Sequence, residues 1–320
     1  MGTFLIQSSP IDRSSPTAPE PGNLSVESKA PVSVIIPVKN EGHNIQRCLE
    51  HLIWAGEIFL VDSQSTDETL KIAQEQGARV VQFHYAGKYP KKKNWALGNL
   101  PFRNEWVLIV DADEVISPAL AREIVDVLRQ PNGCDGYYIN RRFFFLGRWL
   151  RHCGYYPSFN LRLFKHRCGR YEKITADGAG DNEVHEHVIL KGEAGYLREE
   201  MLHFAYPDIA TWVEKHNRYS NWEAEMEERW RSGSPEANRL VGEPGLQSKR
   251  RLKRIYLKIP LRFIFRFFYS YLWKKGFLDG KPGFIFCLLL SFYDLLSWAK
   301  AQERKIQKRG QMKWMGRTSL

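Results

Sequence analysis

Cysteine is scarce in this 320-residue chain and badly placed for pairing: Cys48, Cys134, Cys153, Cys168 and Cys287 are five in number, far apart, and include no C-x-x-C. That argues against a disulfide framework and a structural zinc site, and fits a reducing compartment. No G-x-G-x-x-G or G-x-x-x-x-G-K-[ST] follows the first apolar run, which disfavours dinucleotide binding and P-loop chemistry. The N-terminus has no basic segment and no long apolar core, and Asp12 and Glu20 interrupt it, so no secretory signal is expected. Acid is missing from one long stretch, residues 249–275, which holds ten Lys and Arg and no Asp or Glu. Setting those ten aside leaves 37 bases against 36 acids, so the net charge of +11 describes one surface rather than the whole chain.

What the chain does have is a strand that ends in charge. Residues 106–114 read Trp-Val-Leu-Ile-Val-Asp-Ala-Asp-Glu, where a branched apolar run suited to burial on both faces stops at carboxylates. In extended backbone Asp111 and Asp113 share a face, with Ala112 between them leaving room for a ligand. Two such carboxylates suit Mg²⁺ or Mn²⁺, which fills its other positions with water and phosphate oxygens. A solvated turn capping the next helix is the plainer alternative.

Around this stretch, strand and helix alternate. Strands are predicted over residues 32–36, 57–61, 79–83 and 106–110. Helices are predicted over 44–54, from about Asp67 to Gly77, and from the Ser117-Pro118 pair onward. Short connections predict an α/β fold with a parallel sheet and ligands at the carboxyl ends of its strands. Residues 7–30, rich in Ser and Pro, are expected to be a disordered arm, and 232–245 a linker.

Four motifs occur in order: Val-Ser-Val-Ile-Ile-Pro-Val-Lys-Asn-Glu, Val-Asp-Ser-Gln-Ser-Thr-Asp-Glu-Thr, Lys-Lys-Lys-Asn-Trp-Ala-Leu and Val-Asp-Ala-Asp-Glu. Together they resemble glycosyltransferase family 2 with the GT-A fold, a Rossmann-like, mostly parallel sheet flanked by helices, over roughly residues 32–205. The resemblance implies a nucleotide-diphosphate sugar donor. Pro37 and Glu41 would border the nucleotide, Asp62 would accept from its base, and Lys93 would be a basic contact, although a run of three lysines also reads as a solvated loop. Asp111 would lie near ribose and metal, with Asp113 as the direct ligand. Asp62 also reads as an Asx-type cap over Ser65 or Thr66, which is compatible with that role.

Residues 135–205 are the expected acceptor half. Asn160-Leu-Arg-Leu-Phe-Lys, Val184-His185-Glu186 and Leu202-His203-Phe204 resemble the branch that includes lipopolysaccharide-core glucosyltransferases. Inverting transfer needs a group to take the acceptor's proton. Glu186 is the expected base, with Asp181, Glu183 and His185 as competitors. His203 reads either as a core histidine or as a neighbour of metal and diphosphate. The catalytic domain is expected over 31–207, a helix and linker packing on it over 208–245, and a basic aromatic tail over 246–320.

In that tail, residues 283–299 are apolar apart from Asp294 and a few small or hydroxyl residues, at the short limit for crossing a bilayer. Interfacial helices are the expectation, with Phe263, Phe267 and Trp273 entering lipid while Arg262, Arg266, Lys274 and Lys275 meet anionic headgroups. Phe-Leu-Asp-Gly at 277–280 resembles the tail of the same branch. Nucleic acid is not an expected partner, because the bases lie among long apolar runs. The expected protein is a peripheral or monotopic enzyme on the cytoplasmic face of the inner membrane, moving sugar to a lipid-linked or envelope saccharide. The alternatives are a polyprenyl-phosphate sugar synthase and a membrane-bound scaffold without turnover.

Overall fold

The computed structural model describes residues 29–87, 89–129, 133–172, 187–231, 255–257, 259 and 261–315. Four parallel strands form the first half: β1 (Ala30–Val38), β2 (Ala55–Asp62), β3 (Arg79–Gln82) and β4 (Trp106–Ile109). Helices α1 (Gly42–Glu50), α2 (Thr69–Glu75) and α3 (Lys92–Asn99) connect them. Gly77, at φ 75°, ends the α2 segment in the left-handed conformation expected of a C-terminal glycine. After β5 (Glu114–Ile116), α4 (Pro118–Arg129) is opened by the Ser117 hydroxyl, which accepts from the Leu120 N–H at 3.1 Å.

The second half is built from β6 (Gly136–Phe145), β7 (Arg148–Trp149), β8 (Phe159–Lys165), β9 (Gly169–Tyr171), β10 (Val188–Leu190) and β11 (Ala194–His203). Among the described residues a 9-stranded sheet runs β3-β2-β1-β4-β8-β6-β11-β5, with β7 beside β6, and β9 pairs β10 separately. β8 is antiparallel to both β4 and β6, and β5 to β11, while β6 and β11 are parallel. The parallel expectation therefore holds throughout β1–β4 but, in the second half, only for the β6–β11 pair. The whole is an α/β sheet with flanking helices, as the resemblance to GT-A implied, but mixed where a mostly parallel sheet was expected.

Alternation along β1 explains the layering. Val32, Val34, Ile36 and Val38 face one core with Ile45 and Leu49 of α1, Ala73 of α2 and Leu120 and Ile124 of α4; Ile35 faces another with Ala96 and Leu97 of α3. A third cluster joins Phe143, Phe145 and Leu150 to Trp212 and Phe286. It seats α5 (Ile209–Arg231), α6 (Arg262–Phe268) and α7 (Gly280–Met315) on the second half of the sheet. Asp279 fastens this seat: its carboxylate accepts from the N–H groups of Arg151 and His152 at 3.3 and 2.8 Å and lies 2.9 Å from His152 Nδ1.

The tail differs from its expected orientation. Arg262 is 1 % exposed and pairs with the equally buried Glu227 of α5 at 2.9 Å, so it cannot meet headgroups. Arg266, one helical turn on, lines an internal cavity, and Phe263 and Phe267 are half-buried. The outward face is instead Leu261, Ile264, Phe265, Phe268, Leu272 and Trp273, the last 78 % exposed. Lys274, Lys275 and Lys281 border it, also exposed. Among the described residues one helical segment, Gly276–Lys308, is long and apolar enough to cross a membrane.

Candidate active site

The carboxyl ends of β1 and β4 open on a cavity of about 1440 Å³ that gathers Pro37, Glu41, Lys93, Asp111 and Asp113. Asp111 and Asp113 are not in extended backbone as expected. β4 stops at Ile109, and the Glu114 N–H donates to the Asp111 carbonyl at 2.9 Å, closing a turn. Both side chains line the cavity all the same.

Asp111 is held from two directions. Arg162 of β8 donates from Nη2 to Oδ2 at 2.7 Å, and Lys93 Nζ of α3 lies 3.2 Å from Oδ1. Burial alone would raise this carboxyl, but Arg162 first and Lys93 next outweigh it and hold it well below the usual carboxylate range. Glu114, fully buried, takes the same Arg162 nitrogen at 2.7 Å, Arg141 at 3.3 Å and the Asp111 N–H at 2.9 Å. Burial pushes the Arg162 guanidinium down, but Asp111 and Glu114 override it and lift it well above its ordinary value. Arg162, Glu114 and Arg141 are site residues that sequence reasoning missed. Asn160-Leu-Arg-Leu-Phe-Lys was the available signal, since a guanidinium set inside an apolar strand needs a buried partner.

Asp113 is less encumbered. His203, ending β11, brings Nε2 to 3.6 Å from its Oδ1, and this imidazole outweighs burial to leave the carboxyl below its ordinary value. His203 thus belongs to the cavity as well as packing on Phe143. Glu41 is shifted the other way: burial raises it, Asp113 adds repulsion, and the Asn44 amide at 2.9 Å only partly compensates.

The lysine run is not a solvated loop. Lys91 and Lys92 are buried, Lys92 Nζ donates to the Val38 carbonyl at 2.7 Å, and Lys93 reaches the cavity. Asp62, by contrast, is fully buried and is not among the cavity's lining residues. Its carboxylate takes the Ser65 N–H at 2.9 Å, the Ser65 hydroxyl and the Gln82 amide at 2.9 Å. This is the Asx-type arrangement that the residues also suggested. Asp62 shapes a loop whose Ser65 hydroxyl and Asp67 carboxylate receive the N–H groups of Asn40 and Gly42. Glu186, Asp181, Glu183 and His185 lie outside the described residues.

Helix α5 contributes Lys215, His216 and Tyr219 to the cavity, and α6 and α7 contribute Arg266, Tyr293 and Asp294. The cavity therefore runs from the strand ends into the helical tail. All five cysteines are free.

Residues 33–180 match the family model described as Glycosyl transferase family 2. The lipopolysaccharide core biosynthesis glycosyltransferase LpsC of Rhizobium meliloti (strain 1021) is 28% identical over 88% of this chain and 95% of its own length. An uncharacterized glycosyltransferase of Rickettsia felis is 25% identical over 89% of this chain and 96% of its own. Among solved structures, the mannosyltransferase PcManGT of Pyrobaculum calidifontis, in complex with GDP-Man and Mn²⁺, is 14% identical, covers 91% of each chain and superposes with a TM-score of 0.46.

Proposed function

Proceeding from a chain that carries a glycosyl transferase family 2 domain over residues 33–180, we propose that it moves a sugar, with inversion and with the help of a divalent cation, from a nucleotide diphosphate to a lipid-linked or cell-envelope saccharide. The observation that carries this reading is that Asp111 and Asp113 open on one cavity with Pro37, Glu41 and Lys93. The lipopolysaccharide-core role in the name of the Rhizobium relative supports the envelope acceptor.

The donor set fits a cation that needs few protein ligands. No group of three or more His, Cys, Asp or Glu that could hold a metal ion occurs among the described residues. Mg²⁺ and Mn²⁺ take one or two carboxylates and complete their shells with substrate phosphate and water, so none is needed. Asp113 would be the direct ligand and Asp111 a second, with His203 beside Asp113. Bound there, the cation would neutralise charge developing on the leaving diphosphate.

The protein's own groups do the rest. Arg162 fixes Asp111 so that it does not reorganise as charge moves, and Lys93 adds a cation beside the diphosphate. Pro37 and Glu41 would border the nucleotide, with Asp62 acting through the loop it closes. Glu186 would take the proton of the acceptor hydroxyl as it attacks. The exposed face of α6 and the turn after it, with Lys274, Lys275 and Lys281, would lie on an anionic membrane. Five free cysteines support the cytoplasmic side.

Asp113→Ala with a nucleotide-sugar panel tests this reading. UDP with Mn²⁺ should raise the melting temperature of the wild type and not of the variant, and transfer should fall about 10³-fold. Near-normal turnover in the presence of a chelator would refute the cation assignment.

A further inference from the structure

Three aromatic rings line the cavity from strands that lie across β4 from β1. Tyr138 of β6 and Tyr196 of β11 stack with centroids 4.9 Å apart and an angle of 18°. Phe159 of β8 meets Tyr196 edge-on at 5.2 Å and 85°. All three line the cavity, yet Tyr196 is 63 % exposed and Phe159 44 %. A sheet face this open is ordinarily polar, so a contiguous, rigid aromatic surface there marks a contact site rather than unfinished core.

Position identifies the ligand. Sheet order places β1, bearing Pro37, on one side of β4, and β8, β6 and β11 on the other. Phe159 lies three residues before Arg162, the residue gripping Asp111, which is about 10 Å along an extended strand. A nucleotide bordered by Pro37, Glu41 and Lys93 leaves this side of Asp111 to the acceptor. The negative faces of aromatic rings attract the polarised C–H edges of a pyranose, and Asn160 lines the same cavity.

We propose that Tyr138, Phe159 and Tyr196 form an acceptor subsite that stacks on a sugar ring beyond the one being glycosylated, so that the acceptor must be an oligosaccharide. The identity of the ligand rests on the glycosyl-transfer reading; the shelf rests on the ring geometry. It makes the protein a reader of acceptor length as well as a catalyst.

The test uses lipid-free core oligosaccharide released from lipopolysaccharide by mild acid, titrated against full-length protein, with UDP plus Mn²⁺ titrated separately. Tyr196→Ala should weaken oligosaccharide binding about tenfold or more, and Tyr196→Phe, which keeps the ring, should stay within about twofold of wild type. UDP affinity should be the same in all three. Because Tyr196 is mostly exposed, loss of fold does not confound the result. Unchanged oligosaccharide affinity in Tyr196→Ala, or a wild type that binds UDP but no oligosaccharide, would overturn the subsite. A parallel fall in UDP affinity would also overturn it, by assigning the shelf to the nucleobase. Oligosaccharide held through Tyr196 by a wild type that fails to bind UDP would uphold the shelf while sinking the glycosyl-transfer reading.

Discussion

The sheet and the tail helices are both rich in branched and aromatic residues, yet they dispose of them in opposite ways. In β1 and β4, Val34, Ile35, Ile36, Leu108 and Ile109 are fully buried, because helices cover the parallel half on both sides. In α6 and the turn after it, Phe265, Phe268, Leu272 and Trp273 are exposed while a cation, Arg262, is fully buried. The sheet satisfies its apolar surface within the chain; the tail leaves an apolar surface for something outside it. Composition alone does not separate these cases, and only the position of the charge does.

Breaking the inner side of the tail should have the largest effect on stability. Arg262→Ala leaves Glu227 buried without its cation, and should cost about 3–5 kcal/mol in a denaturant titration. A loss below about 1 kcal/mol would mean that Glu227 finds other compensation, and that the buried pair does not set which face turns inward.

A smaller effect should come from α5, which bridges the two regions. His216 is buried, stacked on Trp212 with centroids 3.6 Å apart, and its Nδ1 lies 2.9 Å from the Trp212 carbonyl. Burial first, opposed by that carbonyl, takes its pKa down to about 4. The folded-state value is below the unfolded one, so its stabilisation is complete above about pH 6.5 and is lost as pH falls towards 4. Between pH 7 and pH 5 the protein should lose about 2 kcal/mol relative to His216→Phe. Identical pH profiles for the two proteins would show that folding leaves the His216 pKa where it is in the unfolded chain.

The smallest effect on stability should accompany a large effect elsewhere. Trp273→Ser should change unfolding free energy by no more than about 0.5 kcal/mol. Sedimentation with anionic liposomes should weaken, and deletion of residues 249–320 should abolish it. Equal sedimentation of the truncated protein would remove the membrane from the comparison.

The parallel half was legible in the sequence because buried parallel strands are unbroken branched runs, and the helices between and after them carry glycine and hydroxyl end signals, as at Gly77 and Ser117. The antiparallel half was not, since β8 inserts between β4 and β6 from far along the chain, and no local pattern sets that order. The same distance hid Arg162, which lies 51 residues from the Asp111 it holds. The Asp111–Asp113 pair was found through its residue types, but its turn was misread as strand, because Val110 continues the apolar run after the ladder has ended. In the tail, basic residues at 262 and 266 looked like partners for headgroups; helical spacing puts both on the inward face, and their charge said nothing about which face that was.

The Asp279 clasp sets a geometry for the whole molecule. By taking two successive backbone N–H groups just after β7, it joins the helices that would rest on lipid to the connection that leads into the strand bearing Arg162 and Phe159. Were those helices moored on a bilayer, the reaction centre would stand at a set height and tilt above the headgroups, as on a gantry. The enzyme would then measure how far an acceptor projects from its anchor, and chains too short to span that gap would pass beneath it unmodified.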